Sequence, residues 1–218
     1  MKFLYSKKNI FLLILFIIRI KSDDENNCTL TRKPRADPFP SLLKCYKYNN
    51  EACCLSVHDD YIDTYISSLL SPSCIRRYPL FEILMCFGCH PNERKYINTT
   101  TNPKEIRICK EFAQELWKEN EEQKDIDLNS PSKVFDQCGF KVDIEHFGKR
   151  FENQTYIIPS EVFSNFSDFL DYVKIPFYED YKIVIQEETN EFCYNDKVYI
   201  NHNMFFCFIY IFILFLQT

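Results

Sequence analysis

Ten cysteines placed between residues 28 and 193 constrain this chain more than any other feature of its 218 residues. They are Cys28, Cys45, Cys53, Cys54, Cys74, Cys86, Cys89, Cys109, Cys138 and Cys193; an eleventh, Cys207, lies inside a C-terminal apolar run. Behind a secretory leader, an even set of cysteines reads as a disulfide framework, here of five bridges, rather than as reduced cytosolic thiols. Ten half-cystines allow about 945 connectivities, so spacing alone leaves the pairing open. One local constraint does follow. Adjacent cysteines seldom bond each other, because a disulfide holds its Cα atoms about 4.4–6.8 Å apart in a restricted orientation. Cys53 and Cys54 are therefore expected to splay to different partners and pin one backbone point to two others. Each bridge contributes roughly 2–4 kcal/mol. A chain of this length also builds a core, so the bridges add rigidity as well as stability.

The leader is Met1–Ser22: Lys2, Lys7 and Lys8, then an apolar run from Ile10 to Ile18. That is a charged n-region and a signal-peptide h-region, short for a membrane span. Four Asn-x-Ser/Thr sequons, at Asn27, Asn98, Asn153 and Asn165, agree with passage through a secretory pathway. The C-terminal run Met204–Leu216 has 13 residues, about 20 Å as a helix against a hydrocarbon core of about 30 Å. A GPI-attachment signal fits it better than a span. Asn195 is the expected attachment residue, because it follows Cys193 and leaves the eight-residue spacer Asp196–Asn203. A short tail anchor or a marginal membrane helix is the alternative. The expected organisation is a signal peptide at 1–22, a cysteine-rich ectodomain at 23–195 and a hydrophobic tail at 196–218.

Removing 1–22 takes away five cations and no acids, and removing 196–218 takes away Lys197 and Asp196. The remaining 173 residues hold 20 basic and 30 acidic side chains, a net charge of −10. Such a surface repels phosphate backbones and argues against a general nucleic-acid partner. With only 3 glycines, no phosphate-cradling loop motif is present. An overall 46% hydrophobic and 17% aromatic content argues against a disordered chain.

Periodicity predicts a helix-rich domain with short strands, an α+β fold. Ser56–Leu70 repeats apolar pairs Tyr61/Ile62, Tyr65/Ile66 and Leu69/Leu70 every four residues, and Ser71-Pro72 stops it. Pro79 opens a short buried helix ending near Gly88. Asn102-Pro103-Lys104-Glu105 reads as a helix start, with a cap, a proline at the first position and a glutamate at the third, for a helix running to about Asn120. Residues 119–133 read as a loop. A fourth helix is expected over Glu161–Val173, capped by Ser160 and followed by Pro176, and then a strand at Lys182–Gln186.

Several residues resemble chemical motifs, and each has a structural explanation. Cys86-Phe87-Gly88-Cys89-His90 has the form of a haem-attachment or redox string, but its cysteines close a buried helix and read as half-cystines with different partners. Zinc would need a second ligand pair at metal spacing, and His58, His90, His146 and His202 are scattered and read as ordinary surface residues. Asp59, Asp60 and Asp63 fall in the first turns of a helix, where the dipole favours acids. Trp117 reads as core or groove wall. No nucleophile motif points to an enzyme, and no cofactor is expected.

The most specific pattern is Cys45-x7-Cys53-Cys54 with Ala52 before the doublet. Cys74 follows, then Cys86-Phe87-Gly88-Cys89-His90-Pro91-Asn92, then Cys109-Lys110-Glu111 with Trp117 eight residues after the cysteine. Over Cys45–Asn120 this resembles the folate-receptor family, which includes riboflavin-binding proteins and an egg-surface sperm receptor. The resemblance implies the pairs Cys28–Cys53, Cys45–Cys86, Cys54–Cys89, Cys74–Cys138 and Cys109–Cys193. Further family cysteines fall on Ala113 and Asn120 here, and their usual partners are missing too, so whole bridges are lost together. The family's pterin-gripping Asp, two residues before Cys86, is Leu84. Glu93–Glu105 lacks the family's tryptophan, and the later His- and Trp-rich segment has no counterpart.

The resemblance therefore implies a cell-surface or secreted folate-receptor-like binding protein that recognises a protein partner rather than folate, held on the extracellular face by a lipid anchor or released. The alternative is a small-molecule receptor for folate, riboflavin or another vitamin, with an altered pocket. An apolar pocket lined near Phe81, Phe112 and Trp117 would favour that alternative.

Overall fold

The computed structural model describes residues 27–119, 122–123, 126–141, 155–187 and 191–195. Residues 1–26, the C-terminal run with Cys207, the sequon at Asn153, Asn120, His146 and His202 lie outside the described residues. Those described form six α-helices, three 3-10 turns, five short strands and five disulfides. Among them, no helix is long and apolar enough to cross a membrane.

Helix α1, Ser56–Leu69, forms where the four-residue repeat predicts it. Its inward face is narrower than the repeat suggests. Ile62, Ile66 and Leu69 are buried, while Tyr61 stands 47% exposed. Ser71 does more than end this helix: its hydroxyl accepts from the Cys74 N–H at 3.4 Å and caps a second helix, α2 (Pro72–Arg77), which periodicity did not reveal. Pro72 fits there because the first helical N–H has no intrahelical partner to lose. Helix α3, Pro79–Met85, passes into the 3-10 turn Cys86–Cys89, and Phe81, Leu84, Met85 and Phe87 are fully buried.

The expected helix start at Asn102–Glu105 is wrong. Residues Ile97–Asn98 form β1, Glu105–Cys109 form β2, and helix α4 begins only at Lys110 and ends at Trp117. Ile106 and Ile108 alternate with Glu105 and Arg107, a period-two pattern that local capping residues masked. Tertiary pairing decides the conflict. β2 lies antiparallel to β1 and parallel to Lys182–Gln186, which is β5, with Ile106 opposite Ile183 and Ile108 opposite Ile185. Both isoleucines of β2 are fully buried, an outcome the helical reading could not supply.

Phe140–Lys141 (β3) and Tyr156–Ile157 (β4) form a small antiparallel pair. Gly139 enters it at φ +64°, and a Cβ there would stand 2.7 Å from the Ile157 carbonyl oxygen, so only glycine fits. The single helix expected over Glu161–Val173 is two. Pro159–Val162 forms α5 and Phe166–Val173 forms α6. Asn165 caps α6, its side-chain oxygen accepting from the Asp168 N–H at 2.9 Å, while Ser160 instead bonds Asp136 through both its N–H and its hydroxyl. The break buries Phe163 with Phe140, Phe169 and Tyr172. Phe135 stacks on Phe169 at 5.4 Å, and Trp117 meets Phe166 edge-on at 5.4 Å. Each such aromatic pair contributes about 0.5–1.5 kcal/mol beyond area burial.

Candidate functional site

The disulfides build one rigid corner. Cys53 bonds Cys28 and Cys54 bonds Cys89, so the doublet ties the N-terminal lead-in, residues 27–44, and the 3-10 turn Cys86–Cys89 to one point. Cys86 goes to Cys45, Cys74 to Cys138 and Cys109 to Cys193, the same five pairs that the resemblance implies. Cys86 and Cys89 thus have different partners, and their C-x-x-C holds no dithiol.

Asp59 completes this corner, and its role is not the capping expected from sequence. Its carboxylate is 3% exposed and turned off the helix. One oxygen accepts from the N–H groups of Leu43 (2.6 Å) and Lys44 (2.9 Å), and the other from Cys45 (2.7 Å). Asn49 clamps Leu42 on both its N–H and its carbonyl. Lys44 reaches Asp63 at 2.8 Å and Glu82 at 3.4 Å. Burial pulls the Lys44 ammonium down, but the two carboxylates outweigh it and leave its pKa raised. Asp60 stays exposed on the helix. Because Asp59, Ile62 and Ile66 share one helical face, the spacing itself carried the signal that Asp59 is buried.

A second buried polar group lies behind the 3-10 turn. His90 departs from the surface histidine expected: it is buried, with its ring 5.3 Å from Tyr48, 5.3 Å from Tyr96 and 5.6 Å from Tyr194. Its Nδ1 accepts from the Asn92 N–H at 3.0 Å, and burial pulls its pKa down to about 3, so the ring is neutral at physiological pH. The Tyr194 hydroxyl donates to the Ile83 carbonyl (3.1 Å) and stands 3.2 Å from that of Tyr48. Nearby Glu93 is also buried. Its carboxylate accepts from the Thr29 N–H and, at 3.3 Å, from the Tyr178 hydroxyl. Burial raises its pKa, and these hydrogen bonds oppose the rise. These groups hold the lead-in against the turn. His58 is half-buried, with its Nδ1 accepting from Leu55.

The rings that would line a ligand pocket are sealed. Phe81, Phe112 and Trp117 are buried side chains, and the Trp117 Nε1–H donates to the Ser130 carbonyl at 3.0 Å. Three surface grooves of about 360, 400 and 390 Å³ exist among the described residues, and none is lined by these rings. No protein-family model matches the chain, and no curated protein matches it. Its chemistry must therefore be read from its own residues.

Much of the exposed apolar surface lies between residues 39 and 61. Phe39 (98%), Leu43 (84%), Tyr46, Leu55, Val57 and Tyr61 all stand in water. Asn27 and Asn98 are half-exposed, and the Asn98 side chain already accepts from Thr100. Asn165 is the α6 cap, and Asn195 is buried beside Tyr194. Sequence reasoning missed Phe177. It lies at φ +71° with its ring 4.9 Å from Tyr61 and 5.2 Å from His58, and nothing in the Ile175-Pro176-Phe177 string marks that conformation in advance.

Proposed function

We propose that residues 23–195 form a folate-receptor-like ectodomain, on the cell surface or secreted, whose role is to recognise a protein partner rather than to carry folate. The burial of Phe81, Phe112 and Trp117 carries this reading: the aromatic faces a pterin or flavin would need are already spent on other core rings, Phe81 on Phe135 and Phe140, Phe112 on Tyr194, and Trp117 on Phe166 and Phe169. The five disulfide pairs support the family assignment, since they coincide with those the resemblance implies. Rigid exposed apolar side chains support a protein partner. Leu43 projects from a backbone held by Asp59 and the Cys45–Cys86 bridge, so its ordering is complete before any partner arrives. The alternative vitamin receptor needs a deep apolar pocket, which the three grooves do not provide.

The test uses the full chain expressed in secretory eukaryotic cells, with the mature protein recovered from surface or medium. Titration with folate and riboflavin should show no binding at sub-micromolar concentration. Cells carrying the partner should bind the labelled protein and lose that binding after mild trypsin treatment. Sub-micromolar vitamin binding, or staining indifferent to trypsin, overturns the proposal.

A further inference from the structure

The outer face of α1 and the corner after α6 form one continuous aromatic surface. Val57 and Tyr61 lie one helical turn apart on the side of α1 away from the core, 63% and 47% exposed. Tyr65 stacks on Tyr61 at 6.3 Å, and its hydroxyl donates to the Val173 carbonyl, which locks the end of α6 against α1. Phe177 lays its ring between Tyr61 and His58. These contacts make a half-exposed platform from two chain segments.

Two features of this platform call for a partner. The first is strain. Lys174 and Phe177 both have positive φ, +40° and +71°, within four residues. Glycine adopts such a backbone freely and a bulky side chain does not. The corner therefore keeps a ring at Phe177 against the local backbone preference, and that ring remains partly in water. Strain of this kind collects where a surface is shaped for use. The second feature is charge. Residues 55–65 and 171–181 contain six acids, with Lys174 as their single cation. Asp59 is consumed by backbone N–H groups, Asp63 by Lys44 and Asp171 by Lys174. Asp60, Glu179 and Asp180 are exposed and make no ion pair among the described residues. Glu179 is tied to the platform itself, because its carboxylate accepts from the Phe177 N–H at 3.1 Å.

We infer that this face, centred on Tyr61 and Phe177, with Glu179 tied to it and the exposed Asp60 and Asp180 on the same two segments, docks a basic protein segment that presents Arg or Lys together with apolar side chains. A guanidinium laid on the tyrosine or phenylalanine face gains from the ring quadrupole and from the carboxylates beside it, while apolar side chains cover Val57 and the ring edges. The Phe39–Leu43–Tyr46 loop is the competing surface. Between residues 32 and 47 it carries five cations and one acid; Lys44 is taken up by Asp63 and Glu82 and Arg35 by Glu51, and the remaining three cations still exceed the one acid, so it fits the opposite charge. This inference rests on the protein-recognition reading and specifies its surface and partner chemistry.

The experiment uses the mature full-length protein and two short labelled peptides, one alternating Arg and Leu, the other Glu and Leu. Fluorescence anisotropy should show binding of the Arg/Leu peptide alone, weakening as salt rises. Phe177→Gly removes the ring and relieves the strain while giving up the contacts with Tyr61 and His58, so at a temperature where it is fully folded it should lose about tenfold or more in affinity. Tyr61→Ser should lose a similar factor, while Phe39→Ser should change nothing. Equal binding of the Glu/Leu peptide, full affinity in Phe177→Gly, or loss on Phe39→Ser each overturns the inference. So does an affinity loss no larger than the unfolded fraction of Phe177→Gly accounts for, which would assign the ring to packing alone. A dimer in sedimentation equilibrium that Phe177→Gly dissolves would give this face to a second copy and also overturn it. If the inference fails while trypsin-sensitive cell staining persists, protein recognition stands and only its surface is wrong.

Discussion

Replacing Asp59 tests whether one carboxylate holds the disulfide corner. In Asp59→Ala the N–H groups of Leu43, Lys44 and Cys45 lose their acceptor together. A hydrogen bond to a charged group contributes about 1.5–3 kcal/mol. The Cys45 bond is buried, so its N–H pays that loss in full. The other two lie at the edge of the corner, where water replaces part of what is lost, leaving about 0.5–1 kcal/mol each. The expected destabilisation is about 2.5–5 kcal/mol, or about 5–20 °C in Tm for a chain of this size. Asp59→Asn separates shape from charge. It fills the same space but turns an NH₂ toward donors, so it should lose at least half as much as alanine. Urea denaturation with disulfides intact measures both, and hydrogen exchange at the Cys45 amide should accelerate in parallel. Either variant within about 1 kcal/mol of wild type, or unchanged Cys45 exchange, would refute the reasoning.

Two other expectations concern acid stability and the α6 cap. His90 has a folded-state pKa of about 3 against an ordinary value of 6.5, so its contribution is complete above pH 6.5 and disappears as pH falls toward 3. The slope is roughly 1.4 kcal/mol per pH unit. Glu93 runs oppositely: its raised pKa makes its contribution complete at low pH and lost as pH rises through the folded-state value. His90→Asn, whose side-chain oxygen can accept from Asn92, should therefore flatten the fall in urea midpoint between pH 7 and 5; an unchanged slope sinks this account. At α6, Asn165→Ala should cost about 1 kcal/mol. Asn165→Asp should keep the cap while abolishing the sequon, so mass spectrometry and melting together separate the cap from any glycan.

Legibility differed between elements for identifiable reasons. Helix α1 and strand β5 were readable because a long amphipathic repeat and a β-branched run leave few alternatives. Strand β2 was misread because Asn102-Pro103-Lys104-Glu105 carries a strong local helix signal, while the partner strand lies more than seventy residues downstream. The Glu161–Val173 segment was read as one helix because its apolar spacing survives the break at Phe163. His90 was placed at the surface because an isolated polar residue says nothing of the tyrosines that surround it, which come from positions 48, 96 and 194.

Unaided, the sequence determined that this chain is a disulfide-tied α+β domain with an acidic surface and that Cys53 and Cys54 must diverge. Those are consequences of residue chemistry, of charge totals and of the reach of one bond. Only the tertiary structure decided that Asp59 binds a loop instead of capping a helix, that the aromatic side chains close on themselves, and that Phe177 meets Tyr61. Each of those depends on groups far apart in the chain arriving within a few ångströms, and distance along a sequence does not encode distance in space.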